Sequence, residues 1–401
     1  MKLLCFLRDP FPTFRPDVTA LLGKYLPRQD ISCNVVALPA AGNTTRPVAW
    51  EGGEVLLGPG YRTRPARQVG ALVHDLRCLL GQAGRHDAIL VRNKIVTAAL
   101  ALPVARWLGI PVYYHMTFTF PEDDLHRART QGLSLGAVRL AFTWLRGMAT
   151  GLLLYRYVLP RLDKAILTSD ALRDALVARG IPGDRLMVLP IGVDMERTDL
   201  LRADSGPGPD QAMAYLGTLD RTRRVDFLFE VLARVRERCP DARLRLIGDA
   251  STPAEREWLE TRARELGVER AVEITGWLPQ DQAWRLAARS RVGVCALPLT
   301  HATQTMTPTK AVEFMALGLP LVVNEHPDQA RLVNESGCGR CVPYDAGSFA
   351  AAVADLLQDP EAAREMGARG LEHVRAQRAY AVLSLRMAQL LANPAPRTAG
   401  V

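Results

Sequence analysis

A chain of 401 residues exceeds what one hydrophobic core usually organises, so two domains, or one large α/β domain, are expected. Hydrophobic residues at 48%, with 31 Gly and 27 Pro spread without period, exclude collagen-like and low-complexity classes, and aromatics at 6% argue against nucleic acid stacked on aromatic platforms. The net charge of +8 lies wholly in the first half, where residues 1–200 carry 25 Lys and Arg against 17 Asp and Glu, while the second half is balanced, so an anionic partner such as a membrane face is expected of the first half alone.

In chain order, strands are predicted at Leu3–Leu7, Ser32–Leu38, Ala88–Val91, Val112–His115, Lys164–Thr168 and Leu186–Leu189. Helical patterns lie between them near Asp17–Tyr25, Ala66–Leu80, Ile95–Leu108, Leu135–Tyr157 and Asp170–Arg179. The segment Leu201–Asp210, rich in Gly, Pro and Asp, reads as a linker. Beyond it the alternation restarts, with strands at Ala212–Leu216, Arg243–Ile247, Val272–Ile274, Val292–Ala296, Pro320–Val323 and Arg340–Val342. Helices are predicted near Arg224–Glu237, Pro253–Leu266, Gln280–Ala288, Lys310–Leu317, Ala346–Leu357 and Pro360–Arg378.

Strand–helix alternation on both sides of a linker predicts two doubly wound, mostly parallel α/β domains. The expected division is 1–200, 201–378, and 379–401 as a last helix with a frayed tail. Ligands of such sheets bind beyond the C-terminal strand ends, so a cleft between two such domains is the expected active site.

Seven Cys, an odd number scattered over the chain, predict free thiols in a reducing, cytoplasmic setting. Cys338-Gly-Arg-Cys341 stands without a second pair, so no zinc site is expected. The opening Met1–Leu7 is too short for a signal peptide and reads as a first strand. The apolar run Leu140–Leu159 is broken by Arg146 and Arg156, which argues against a membrane-spanning helix. The wider stretch carries Arg127, Arg129, Arg139, Arg146, Arg156 and Arg161 among large apolar residues, a pattern suited to an anionic membrane surface and equally to a packed helix pair.

The most informative stretch runs from Thr305 to Val323. A hydroxyl-rich loop, Thr305-Met-Thr307-Pro308-Thr309, enters a helix whose N-terminus favours a phosphate or an anionic transition state. Lys310 falls in the first turn, where a cation opposes the helix dipole unless an anion is bound nearby, and it is the only Lys of the second half. Glu313 follows on the same face and can accept both hydroxyls of a ribose.

This stretch, Thr-Pro-Thr-Lys-x-x-Glu-Phe-Met-Ala-x-Gly-x-Pro-x-Val, resembles the donor-binding signature of retaining GT-B glycosyltransferases, especially glycosyltransferase family 4. Further matches follow in family order: Leu189-Pro-Ile-Gly-Val-Asp194, Tyr215-Leu-Gly217-Thr218-Leu, Arg223-Arg224-Val-Asp-Phe-Leu, Leu246-Ile-Gly248-Asp249 and Ile274-Thr-Gly276-Trp277. The resemblance covers the second half throughout and the first more loosely.

It implies two Rossmann-like domains facing across a cleft, acceptor domain first and donor domain second, with the last helix returning to the first. It also implies transfer of a sugar from a nucleotide diphosphate sugar to a sugar, lipid-linked or small-molecule hydroxyl, with retention and without a metal or other cofactor. Donor contacts are implied at Gly217, Thr218, Arg223, Arg224, Gly248, Trp277, Thr305, Thr307, Pro308, Thr309, Lys310 and Glu313. Lys310 and Arg224 are implied to neutralise the departing diphosphate, and His115, at a strand end, to position or assist the reacting sugar.

Two positions depart from the family pattern. Thr218 stands where the family has an Arg, and Thr305 where it has the first Glu of Glu-x7-Glu. The first loop, Arg8–Phe14, lacks the family's Gly-Gly pair, and Glu122-Asp123-Asp124 reads as a solvated loop or helix start, with no metal expected. Two rival readings are a nucleotide-sugar 2-epimerase of the same fold, which needs carboxylate bases, and a basic non-catalytic membrane- or nucleic-acid-binding protein. The missing acid/base cluster counts against the first, and the neutral second half with its phosphate loop against the second, so no nucleic acid partner is expected.

Overall fold

A computed structural model describes residues 1–40, 50–205, 210–300 and 303–393. The chain forms two compact units, Met1–Pro190 with Tyr380–Val401, and Ile191–Ala379. The first unit therefore ends ahead of the expected linker. Residues 201–205 of that segment close a helix, Met195–Ser205, while 206–209 lie outside the described residues, as does the expected tail from 394.

The first unit is built on a seven-stranded sheet. Its strands are β1 (Lys2–Leu7), β2 (Ser32–Ala37), β3 (Val55–Leu57), β4 (Ala88–Arg92), β5 (Val112–Met116), β6 (Lys164–Leu167) and β7 (Leu186–Val188), in the order β3-β2-β1-β4-β5-β6-β7. Every pairing is parallel. Parallel sheets are covered on both faces, which is why these strands are continuous apolar runs. Leu4, Phe6, Ile89, Val91, Tyr114 and Leu167 bury one face, with the helices Arg64–Gln82 and Ile95–Leu108 over it. Leu3, Cys5, Leu7, Leu90, Tyr113 and Ile166 bury the other, against the helix Asp17–Tyr25 and Tyr380, Leu383, Met387 and Leu391 of the helix Tyr380–Ala392.

The second unit has a six-stranded parallel sheet of β8 (Ala212–Leu216), β9 (Arg243–Ile247), β10 (Val272–Ile274), β11 (Val292–Cys295), β12 (Leu321–Asn324) and β13 (Gly339–Val342), in the order β10-β9-β8-β11-β12-β13. Its core joins Met213, Tyr215, Leu244, Leu246, Val292, Val294 and Val322 to Phe229, Leu232, Phe349 and Val353 from the covering helices. In both units the strand order reverses beside the first strand, between β1 and β4 and between β8 and β11. That is where doubly wound sheets open a crevice for ligands.

The structure departs from the sequence expectations at several elements. The edge strand β3 and the helices Met195–Ser205 and Pro327–Ser336 were not expected. The helix Phe120–Gln131 was not expected at this length; Pro121, Glu122 and Asp123 in its first turn are helix-start chemistry, the second of the two readings of the acidic triplet. The helix expected at Arg224 begins at Phe227, since Arg224 itself is left-handed with φ of 49°. Among the described residues no helix is long and apolar enough to cross a membrane.

Candidate active site

The site is built at the crevice of the second unit. Strand β8 is followed at once by Gly217, whose φ of 132° suits only glycine, and whose N–H donates to Ile247 O at 3.0 Å. Gly248 leaves β9 alongside with φ of 142°, so close that a Cβ there would lie 2.1 Å from Gly217 O. Bare backbone from two strand ends therefore meets at one point.

Three positive side chains come from the elements that follow. Asp220 caps the turn Arg221–Arg223, its Oδ1 accepting from Arg223 N at 3.0 Å, and its other oxygen pairs with Arg223 Nε at 3.3 Å. A Cβ on Gly217 would stand 3.7 Å from Lys310 Nζ and 3.8 Å from Arg223 Nη1, so both cations flank the bare glycine. Arg224 is next in the chain, half-exposed and paired with Asp226 at 3.3 Å. Lys310 rests over the Tyr215 ring, 3.8 Å from its centroid, which holds the ammonium in place while leaving its donors free to turn outward.

Lys310 is the second residue of the helix Thr309–Ala316, and Pro308 before it offers no side-chain cap to the first turn. Thr307 is buried, and Thr305 and Thr309 are half-buried. Glu313 follows one turn on, accepting from Trp284 Nε1 at 3.3 Å. Burial holds its carboxyl above the ordinary range, while the bonds from Trp284 and Gln280 and the charge of Lys310 pull the other way.

Gly217, Gly248, Arg223, Lys310 and Glu313 thus form one group, with Thr218 and Arg224 adjoining it in the chain. Trp277 follows β10, 63% exposed, and no hydrogen bond or ring contact joins it to the group. Tyr215, Asp220 and Trp284 were not singled out from the sequence. Tyr215 lies two residues before Gly217, so the strand's alternation was the available signal.

In the first unit His115 sits near the end of β5, buried, with Nδ1 3.9 Å from Asp17 Oδ2. Asp17 is itself held by Arg92, whose Nε lies 2.7 Å from Oδ2, and Arg92 also pairs with Asp9. Burial raises the Asp17 carboxyl, but Arg92, His115 and Arg15 together bring it below its ordinary value. His115 is pushed down to about 4 by burial, with Arg92 adding to this and Asp17 opposing it.

The native state therefore binds fewer protons than the unfolded chain between pH 6.5 and 4. The stability that neutral His115 contributes is complete above pH 6.5 and lost as pH falls through the native value. Wild type is expected to lose about 3 kcal/mol across that window that His115→Asn does not lose, read from denaturant melts at each pH. Parallel curves would contradict a buried neutral histidine.

Of the two readings of Glu122, Asp123 and Asp124, the helix start holds and the solvated loop does not. Glu122 accepts from Tyr155 Oη at 2.6 Å and pairs with Arg179, Asp123 pairs with Arg127 at 2.7 Å, and Asp124 accepts from Arg146 Nε at 2.8 Å. Glu122 and Asp124 brace the helix Phe120–Gln131 against its neighbours, while the Asp123–Arg127 pair lies within the helix itself. The next helix, Ala137–Leu152, exposes Val138, Phe142, Trp144, Leu145, Met148 and Leu152.

Residues 17–192 match the family model of a glycosyl transferase 4-like domain, and residues 210–359 match that of glycosyl transferases group 1. With both halves matched by glycosyltransferase domain models, this chain belongs to the glycosyltransferases. Its two parallel-sheet units are those of the GT-B fold.

The glycosyltransferase is 28% identical over 204 residues to the glycogen synthase of Mycobacterium tuberculosis, covering 50% of this chain and 47% of that one. It spans about half the length of the curated relatives it matches. Among solved structures it is similar to sucrose-phosphate synthase from Thermosynechococcus elongatus, with a TM-score of 0.76 at 17% identity, 98% of each chain being covered. It is also similar to HepE of Anabaena, crystallised with UDP and glucose, with a TM-score of 0.69 at 15% identity over 98% of this chain and 99% of that one. Likenesses at this identity speak to the fold.

Proposed function

We propose that this glycosyltransferase moves a sugar from a nucleotide diphosphate sugar to an acceptor hydroxyl with retention of anomeric configuration. The observation that carries the reading is the convergence of Lys310 and Arg223 on the bare strand end at Gly217, beside the start of the helix Thr309–Ala316. Backbone without a side chain lets a diphosphate approach, and two cations with a helix N-terminus neutralise it.

In this reading Lys310, Arg223 and Arg224 hold the diphosphate, and Thr305, Thr307, Pro308 and Thr309 line the sugar-phosphate loop. Glu313, as carboxylate, accepts the ribose hydroxyls. Gly248 lets the β9 end lie close, with Thr218 and Trp277 at the rim. As the bond from sugar C1 to the phosphate oxygen breaks, the new bond to the acceptor oxygen forms on the same face. The acceptor's proton passes to the departing phosphate oxygen. The side-chain cations take the charge that this leaving group gains, so no metal or other cofactor is required. His115, kept neutral, holds or donates to the reacting sugar. Hydrogen-1 NMR of the product formed from an α-linked donor is expected to show the α anomer first; an initial β product would refute retention.

The acceptor we propose is a sugar or lipid-linked hydroxyl reached at the cytoplasmic face of an anionic membrane. Apolar Phe142, Trp144, Leu145 and Leu152 stand exposed on a helix that also carries Arg139 and Arg146, in the half that holds all the excess positive charge. Sedimentation with phosphatidylglycerol vesicles is expected, and Trp144→Ser with Leu145→Ser is expected to abolish it. Equal sedimentation of that double variant would refute the membrane surface.

A further inference from the structure

The end of β12 carries two side chains that the donor-site account does not use. Asn324 is fully buried, and its amide makes a two-point contact with Leu297: Leu297 N donates to Oδ1 at 2.8 Å, and Nδ2 donates to Leu297 O at 2.9 Å. This continues the β11–β12 pairing past its last register pair, Cys295 with Val323, using a side chain in place of backbone. His326, also fully buried, has its N–H bonded to Asn324 O at 2.7 Å and its Nε2 2.7 Å from Thr303 O. A carbonyl only accepts, so Nε2 carries the proton, and the buried Nδ1 has no partner among the described residues.

Thr303 O is a shared anchor, since it also accepts from Met306 N at 2.9 Å. The Thr303 hydroxyl in turn donates to Pro298 O at 2.7 Å. The loop leaving β11 is thus tied to β12 at Leu297 and again at Thr303. Only residues 304–308 separate the second tie from the helix that presents Lys310.

We propose that Asn324 and His326 are positioning residues that fix the Thr305–Thr309 loop, and with it Lys310, in the geometry that receives the nucleotide diphosphate. This rests on the donor-site reading above. Neither side chain touches the ligand in this account; His326 acts through the Thr303 carbonyl.

The test separates the two claims. Amide hydrogen exchange is measured first, without ligand, on wild type, His326→Phe, which keeps the ring volume and loses the donor, and His326→Gln, which restores an N–H at similar reach. Exchange at Gln304 and Met306 is expected to rise about tenfold in the Phe variant, with the β12 amides unchanged, and to return in the Gln variant. UDP and GDP affinities are then measured by calorimetry, with Lys310→Ala as reference. Whichever of the two wild type binds is expected to weaken about tenfold in His326→Phe and to recover to within about threefold in His326→Gln.

Unchanged exchange at Gln304 and Met306 overturns the tie. Faster exchange with unchanged nucleotide affinity overturns its role in binding. If wild type binds neither nucleotide, or Lys310→Ala binds as wild type does, the donor-site reading fails, and the exchange data still decide whether His326 holds the loop. If the Phe variant does not fold, His326→Asn, whose amide stops short of the Thr303 carbonyl, is read in its place.

Discussion

Lys310→Ala is expected to weaken binding of the nucleotide diphosphate by about ten- to a hundredfold, and to lower transfer further, while leaving the fold intact. A hydrogen bond to a charged group contributes about 1.5–3 kcal/mol, which sets the lower figures. Removing a preorganised donor from developing charge costs about 10²–10³ in rate. The cost to stability is small because two effects oppose each other. Lys310 over the Tyr215 ring contributes about 0.5–1 kcal/mol. A cation in the first turn of the helix Thr309–Ala316 costs a comparable few tenths to 1 kcal/mol against the dipole. A melting temperature close to wild type with strongly reduced affinity is the expected pair of results. A large drop in melting temperature with unchanged affinity would make Lys310 a structural residue.

Gly248→Ala is expected to destabilise the second unit by about 3–5 kcal/mol and to abolish nucleotide binding. The added Cβ meets backbone, 2.1 Å from Gly217 O, where no side chain can rotate away, and the φ of 142° adds strain. Relief requires the β8 end to move, and that end is the bare surface beside Lys310 and Arg223. Gly81→Ala is the control. Its Cβ would meet nothing within 4 Å, in the helix Arg64–Gln82, and alanine there is expected to stabilise by up to about 1 kcal/mol. Denaturant melts check both; equal effects of the two substitutions would remove the close-approach argument.

The strands were legible because parallel sheets bury both faces, and runs such as Leu3–Leu7 and Val292–Cys295 have no other use for so many apolar residues. The edge strand β3 was not, since Val55–Leu57 is three half-exposed residues paired on one side only. The helix Phe120–Gln131 was obscured by three acids that look solvated in sequence. Asp123 has a local partner in Arg127, but those of Glu122 and Asp124, namely Tyr155, Arg179 and Arg146, come from later in the chain, and nothing local announces them.

Within the site, Lys310 and Glu313 stood out because a first-turn lysine contradicts the helix dipole, and a local rule broken at one place points to a ligand. What local rules cannot show is which distant element supports them. Tyr215 beneath Lys310, Trp284 against Glu313 and His326 on the Thr303 carbonyl are each brought in by the sheet order, not by spacing. The likeness of single motifs pointed to the loop proposed for the donor, but only the register of β8, β9, β11 and β12 places its supports.

The measurement that bears most directly on the donor site is a thermal-shift titration of wild type and Lys310→Ala with UDP, GDP, ADP and dTDP. A ligand that binds only the native state raises its stability by mass action. At least one nucleotide is expected to raise the melting temperature of wild type, with that rise lost in Lys310→Ala. No rise with any of the four on folded protein, or an equal rise in the two proteins, would contradict a diphosphate held between Lys310 and Arg223 at Gly217.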